Sequence, residues 1–415
     1  MTLPDVTIEI DGAPVECDVL QAVIRHGRDD PSSHPEADAA TLEIIGAMPA
    51  GAVIGAPLTV YALEPITATP IPRFAGRISD VRIGFEDVDL PSGTLIAVGE
   101  LADMGRRVIG AAPYPAEADG TRVNRAIVAA GVSTDPIRSD PGYLGVLARD
   151  VDAQPALNIA RDAATDGGGF VWQATDGAVL YADAFHRRAP AVSFALEACD
   201  LPVSLAWQQG LEGMANDVRV RYGSATPQPE VSASDPASIA EFGTHGASLS
   251  TRIAGVSDAQ ERANLIVVRQ STPAWTLSSL AFALESPGVD VALTVDLLRA
   301  EVHDLINVTG MPAGSPMASA MVFVEGWTET IVAGGWTLEL AVSDYCRTAP
   351  APQWDDVAPG WTWDGLDPGL TWDAISCLPP FVSGAPGRWV DVPASLRWDQ
   401  VPPATTWDTW VIPTA

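Results

Sequence analysis

The sequence predicts a mainly β protein with an α+β insert: two small β-barrel domains, then an extended C-terminal module of Trp-Asp nonapeptide repeats. Three observations predict this. Short alternating segments separated by Gly, Pro and Asp lie on both sides of a stretch with helical spacing. A three-strand phrase occurs twice. A Trp-Asp unit returns every nine residues near the C-terminus. Short antiparallel strands at this spacing suit small barrels or sandwiches, and a fixed period marks a separate module.

The first barrel is expected over residues 1–110. Val6-Thr7-Ile8-Glu9-Ile10 alternates and runs into Asp11-Gly12, a dipeptide suited to a hairpin turn. Further strands are expected at Ala40–Ile45, Leu58–Leu63, Phe74–Phe85 and Thr94–Val98. A strand at Val218–Tyr222, within a segment of about 203–223, is expected to return to this barrel. Residues 111–202 read as the insert. Val123, Ile127 and Ala130, then Leu157, Ala160 and Ala164, have helical spacing. Next, Phe170–Thr175 and Ala178–Ala182 flank Asp176-Gly177 as a hairpin. Residues 224–256 are polar and rich in Ser, Pro and Ala, which suggests a linker.

Residues 257–346 should hold a helix and the second barrel. Ser257-Asp258-Ala259-Gln260 has the form of a capping box opening a helix to Gln270. Strands are expected at Ala274–Leu277, Asp290–Val295, Leu305–Thr309, Met321–Thr328 and Trp336–Val342. Residues 347–415 form the Pro-rich repeat tail, in which eight of the 13 tryptophans fall after residue 350. Trp354, Trp363 and Trp372 are nine apart, as are Trp389, Trp398 and Trp407. At about 100° per residue a nine-residue period alternates helix faces, and the prolines would break a helix. A turn or polyproline-II-like path fits better. These six tryptophans are the candidate partner-binding residues.

Composition excludes several classes. At 47% hydrophobic the chain can bury real cores, so its net charge of −30 does not signal disorder. It argues against a duplex-binding surface, which needs a basic patch. All 23 basic residues are arginine, which removes the P-loop, Schiff-base and kinase lysines. Cys17, Cys199, Cys346 and Cys377 match no zinc or redox spacing. The N-terminus has no charged and apolar signal-peptide pattern, and no run of about 18 apolar residues suggests a membrane span.

No catalytic, cofactor-binding or metal-binding set is expected. Asp166-Gly167-Gly168-Gly169 follows a helix instead of opening one, the reverse of a phosphate cradle. His34, Glu36 and Asp38 fall in what reads as an exposed loop, and His303-Asp304 reads as a turn. The acids Glu86, Asp87 and Asp89 have no aromatic cleft signature beside them.

The repeated phrase links the two β domains. The first has Pro57-Leu58-Thr59-Val60, then Phe74-Ala75-Gly76-Arg77-Ile78-Ser79-Asp80-Val81, then Gly93-Thr94-Leu95-Ile96-Ala97-Val98. The second has Leu305-Ile306-Asn307-Val308, then Val324-Glu325-Gly326-Trp327-Thr328-Glu329-Thr330-Ile331, then Gly335-Trp336-Thr337-Leu338-Glu339-Leu340-Ala341. Glycine inside a strand marks a bulge or a bend.

Through these segments and the helix from Ser257, residues 1–345 resemble the hub proteins at the tip of phage tails, including myophage baseplate hubs. The Trp-Asp repeats look like the endings of minor tail proteins from siphophages of actinobacteria. The resemblance implies a non-enzymatic homotrimer in which two barrels per chain give six around a ring. It implies attachment to the distal tail protein or tail tube, the tape measure protein, and tail fibre or receptor-binding proteins. The expected location is the virion tail tip, after synthesis in the host cytoplasm without a signal peptide. A lumen that lets DNA slide past would tolerate the acidic charge. Two alternatives stand beside this reading. One is an adhesin whose C-terminal tryptophans bind host glycans; the other is a tail-associated cell-wall hydrolase.

Overall fold

The computed structural model describes residues 3–348, except 16–17, 32, 50, 88–89, 111–112, 150–152, 189, 199–202 and 212. The Trp-Asp module, with all six candidate tryptophans, lies outside the described residues.

Most of the β structure belongs to one sheet of 13 strands. In its first half, Val6–Ile10 turns into Ala13–Pro14 through Asp11 and Gly12 at φ 53° and 74°. Two successive positive φ angles are what the tight hairpin turn requires. The antiparallel path then runs through Asp18–Gly27, Ala39–Ile45, Leu90–Val98, Pro70–Asp87, Pro57–Leu63 and Val6–Ile10. Alternate side chains face one side: Ala22 and Ile24, Leu42 and Ile44, Leu58 and Val60, Phe74 and Ile78. Ile8 and Ile10, from the far end of that path, join the same core, so the sheet curls around it.

Closed barrels, expected from the sequence, are not found. Val6–Ile10 does not complete a ring with Asp18–Gly27, because Ala39–Ile45 and Ala320–Val332 already occupy both edges of that strand. The two halves are therefore fused. Ala320–Val332 pairs along one edge with Gly335–Asp344. Its other edge is divided: Ala320–Phe323 takes Leu305–Val308, and Gly326–Val332 takes Gln21–Gly27. At this seam Gly27 and Gly326 face each other. A Cβ on Gly27 would lie 2.4 Å from the Glu325 carbonyl oxygen, and one on Gly326 2.4 Å from that of His26. Only two bare backbones fit there.

The repeated phrase corresponds to a repeated structure. Pro57–Leu63, Pro70–Asp87 and Leu90–Val98 form an antiparallel meander, as do Leu305–Thr309, Ala320–Val332 and Gly335–Asp344. The central strand of each carries a crowded glycine and a register shift, at Gly76 with Ile78/Asp80 and at Gly326 with Val324. Val203–Gln208 and Thr276–Ala283 extend the second half, and Val192–Glu197 pairs in parallel with Leu305–Thr309.

In the insert, helices Asp119–Ala130 and Ala156–Gly167 pack together through Val123, Ile127, Ile159 and Ala163. Left-handed glycines, Gly131 and Gly168, stop both, as expected where a Cβ would be strained. The hairpin of Phe170–Gln173 and Val179–Ala182 covers them around Gly177 at φ 91°.

Several elements depart from the sequence reading. Asp217–Arg221 does not return to the first half. It is the centre of a separate three-stranded sheet, between Glu230–Ser234 and Gly246–Ser250. The supposed linker supplies both partners and the helix Pro236–Phe242, capped by Asp235. Ser and Ala alternating in Glu230–Ser234 leave little hydrophobic signal, yet Val231 and Ala233 pack on the sheet's core. Helix Val256–Gln270 covers that core with Ala259, Ala263 and Val267. Its cap is Gly255; the Ser257 hydroxyl donates to Asp258 instead of capping. Lastly, Asp290–Val295 is not a strand. Asp290 accepts from the Leu293 N–H and starts helix Val291–Arg299, whose Thr294, Val295, Leu297 and Leu298 are buried.

No described helix is long and apolar enough to cross a membrane. Gly326→Ala should destabilise the protein by about 1–3 kcal/mol, the usual cost of overpacking a filled site. A denaturation midpoint equal to wild type would contradict the glycine-to-glycine seam.

Candidate functional site

The polar residues picked out in the sequence do not converge. His34 Nε2 hydrogen-bonds Thr165 Oγ1 at 2.8 Å, Glu36 pairs with Arg25 at 3.7 Å, and Asp38 is buried against His26. Among the described residues no group of three or more His, Cys, Asp or Glu is placed to hold a metal. His303 is a buried turn residue at φ 84°. Asp304 Oδ2 accepts from the Glu301 N–H and Oδ1 from Ser193. Gly168 ends a helix, as the sequence suggests for that glycine run. Asp89, Cys17, Cys199 and Cys377, and the side chains of Glu86, Asp87 and Cys346, lie outside the described residues.

What the fold does assemble is a buried ionic joint at the seam. Its centre is Glu325, with no solvent exposure, on strand Ala320–Val332. Arg28, just past strand Asp18–Gly27, gives Nη2 to Glu325 Oε2 at 2.7 Å and Nε at 2.8 Å. Arg187, on the chain leaving the insert, gives Nη1 to Oε1 at 2.5 Å and Nη2 to Oε2 at 2.9 Å. The Ser343 hydroxyl, from Gly335–Asp344, also donates to Oε1. Phe170 of the insert lies 4.0 Å beneath the Arg28 guanidinium, and Phe323 lies 4.5 Å from that of Arg187. One carboxylate thus ties the first half, the second half and the insert.

Burial acts to raise the Glu325 pKa. Arg187 and Arg28, with hydrogen bonds from Arg187 and Ser343, outweigh it and hold the group at about 2. His303 moves the other way. Burial, then Arg187, His186 and Arg28, push it well below the ordinary imidazole value. It is neutral, and its Nδ1 accepts from Arg187 Nε at 2.9 Å.

A second pair repeats the device along the seam. Arg73 Nε donates to Glu329 at 3.2 Å, and the guanidinium also reaches the Leu298 carbonyl. Trp336 Nε1 donates to the other Glu329 oxygen at 3.2 Å. The His26 ring lies tilted against Trp327, 4.6 Å between centroids, and its Nδ1 meets Asp38 at 2.7 Å. Burial opposes a charge on His26, but the Asp38 carboxylate and the Arg73 carbonyl raise its pKa. These groups are buried and paired largely with one another, which suits a clamp between domains.

Sequence reasoning missed this joint, although one signal was present. Glu325 and Glu329 interrupt a strand otherwise rich in buried apolar residues. A charge on such a strand requires a buried partner.

No family model matches this sequence, and no curated protein matches it. The fold does have counterparts among solved structures. It is similar to the 43 kDa tail protein of prophage MuSo2 from Shewanella oneidensis, with TM-score 0.58 and 11% identity, covering 84% of this chain and 99% of that one. It is also similar to a tail protein from Neisseria meningitidis MC58, with TM-score 0.61 and 12% identity over 84% and 98% of the two chains. The prophage tail protein gp18 from Listeria monocytogenes EGD-e follows at TM-score 0.51 and 8% identity, over 81% and 94%. The chain has a phage tail-protein fold.

Glu325→Gln should cost about 3–5 kcal/mol, because it leaves two buried guanidinium groups without their carboxylate. Urea denaturation of the variant checks this. The pH dependence has a definite sign. A carboxyl held at about 2 in the folded state and at about 4.3 in the unfolded chain stabilises fully above pH ~5. That contribution declines as pH falls toward 2. Glu325→Gln should flatten this acid limb.

Proposed function

We propose that this chain is a structural, non-enzymatic hub at the tip of a phage tail. It forms a homotrimeric ring in which the two β units of each copy present six similar surfaces. One side meets the distal tail ring or tail tube, and the other meets three-fold components such as tail fibre or receptor-binding proteins. The tape measure protein ends in the lumen. The observation that carries this reading is the repeated meander, Pro57–Val98 and Leu305–Asp344, in a chain with a tail-protein fold. Closed rings of identical chains need self-complementary or head-to-tail surfaces, and an internal repeat lets three chains match six neighbours.

Trp354, Trp363, Trp372, Trp389, Trp398 and Trp407 would dock on neighbouring tail proteins. Their strict spacing supports a ladder of equivalent contacts, and an exposed row of indoles on a free chain would favour association. The same spacing supports the alternative, a host-glycan adhesin.

Light scattering of the purified full chain should give three times the 43.5 kDa chain mass. A monomer at micromolar concentration, with particle images lacking three-fold tip symmetry, would overturn the hub reading. Phage truncated after Ala351 should separate the roles of the tail. Failed tip assembly supports docking, whereas normal tails that no longer adsorb to cells support the adhesin.

A further inference from the structure

Helix Val256–Gln270 carries two arginines, Arg262 and Arg269, seven residues apart and therefore on one side of the helix. This side lies next to the Ala259, Ala263 and Val267 face and looks toward the insert and the ionic joint. Arg262 lies against the C-terminal end of helix Ala156–Gly167, where a Cβ on Gly168 would sit 2.4 Å from Nη1. Arg269 lies near Arg187, and its backbone carbonyl accepts from Arg347 Nε at 3.3 Å.

Both guanidinium groups hold buried N–H groups without a partner among the described residues. These are the Nε of Arg262 and the Nε and Nη2 of Arg269, which are shut off from solvent and meet no hydrogen-bond acceptor among the described residues. Arg262 has partial compensation: burial lowers its pKa, and Tyr181 and Asp166 oppose that. Arg269 has none. Burial first, then Arg262 and Arg187, bring it down to about 9, with no acid acting on it among the described residues. Glu325, the carboxylate that Arg187 binds, is shared with Arg28. Arginine keeps its proton at neutral pH, so deprotonation cannot relieve the charge. A bound anion can.

We propose that Arg262 and Arg269 form a binding site for an oxyanion, phosphate or carboxylate, between helix Val256–Gln270 and the insert. The planar guanidinium fork matches the paired oxygens of either group. Seven helical residues set the two Cα atoms about 10 Å apart along the axis, a gap that two long side chains can close around one anion. Each arginine keeps part of its side chain at the surface, which provides a route in from solvent. The site is independent of the tail-hub reading and holds whatever the oligomeric state.

The test uses the full chain, titrated with sodium phosphate and separately with glutarate, at constant ionic strength made up with chloride. Calorimetry and thermal unfolding are the readouts. Saturable binding of one phosphate per chain with a rise in Tm is expected. Affinity should fall at least tenfold in Arg269→Met and in Arg262→Met, which keep the apolar stem and remove the charge. Competition by glutarate would extend the ligand class to carboxylates, and its failure would narrow it to phosphate. No saturable binding of either anion by the wild type, or wild-type affinity in both Met variants, would overturn the proposal. If neither variant folds, the wild-type titration decides alone.

Discussion

The arrangement depends on a single ionised carboxylate with no access to water. Glu325 accepts from Arg28, Arg187 and Ser343, which reach it from three different parts of the chain. A buried ion pair of this kind adds little net stability over a well-packed apolar core, since desolvation offsets the attraction. What it adds is selectivity of arrangement. Any other docking of the insert, or any slip between the two halves, would leave a charge stranded. The second pair, Arg73 with Glu329, applies the same constraint further along the same strand.

Backbone geometry and electrostatics cooperate at this place. Gly27 and Gly326 let two strands meet where a side chain on either would clash. The carbonyl of Glu325, next to Gly326, faces the first half and accepts from the Arg28 N–H at 3.0 Å. The seam is therefore specified twice, by shape and by charge. Each specification comes from residues that propensity scales count as poor strand formers.

Much of the fold was legible locally. The Asp11-Gly12 and Asp176-Gly177 turns, the spacing of Val123 and Ile127, and the paired meanders all appear in the structure where the sequence puts them. The misses have physical causes. Asp18–Gly27 includes Arg25 and His26, polar residues that mask a strand until the partners of His26, Asp38 and the Arg73 carbonyl, are known. Glu230–Ser234 is built of small residues whose burial is shallow. Asp290 is equally suited to a turn and to a helix cap, and only the burial of Leu297 and Leu298 decides. Closure was overpredicted because pairing across the seam is a non-local choice. No window of sequence shows that Asp18–Gly27 prefers Ala320–Val332. The partners in the joint were illegible for the same reason, their contacts spanning as many as 297 residues.

The divided edge of Ala320–Val332 carries an evolutionary consequence. Its two stretches serve different halves of the protein, so neither half is a self-sufficient fragment. Excised alone, the N-terminal half would offer the bare ladder of Gln21–Gly27 to any passing strand, an invitation to aggregation. Recombination between related sequences should therefore move both halves as one block. Crossovers are better tolerated before Pro350 or within the surface loops than between the copies of the repeat.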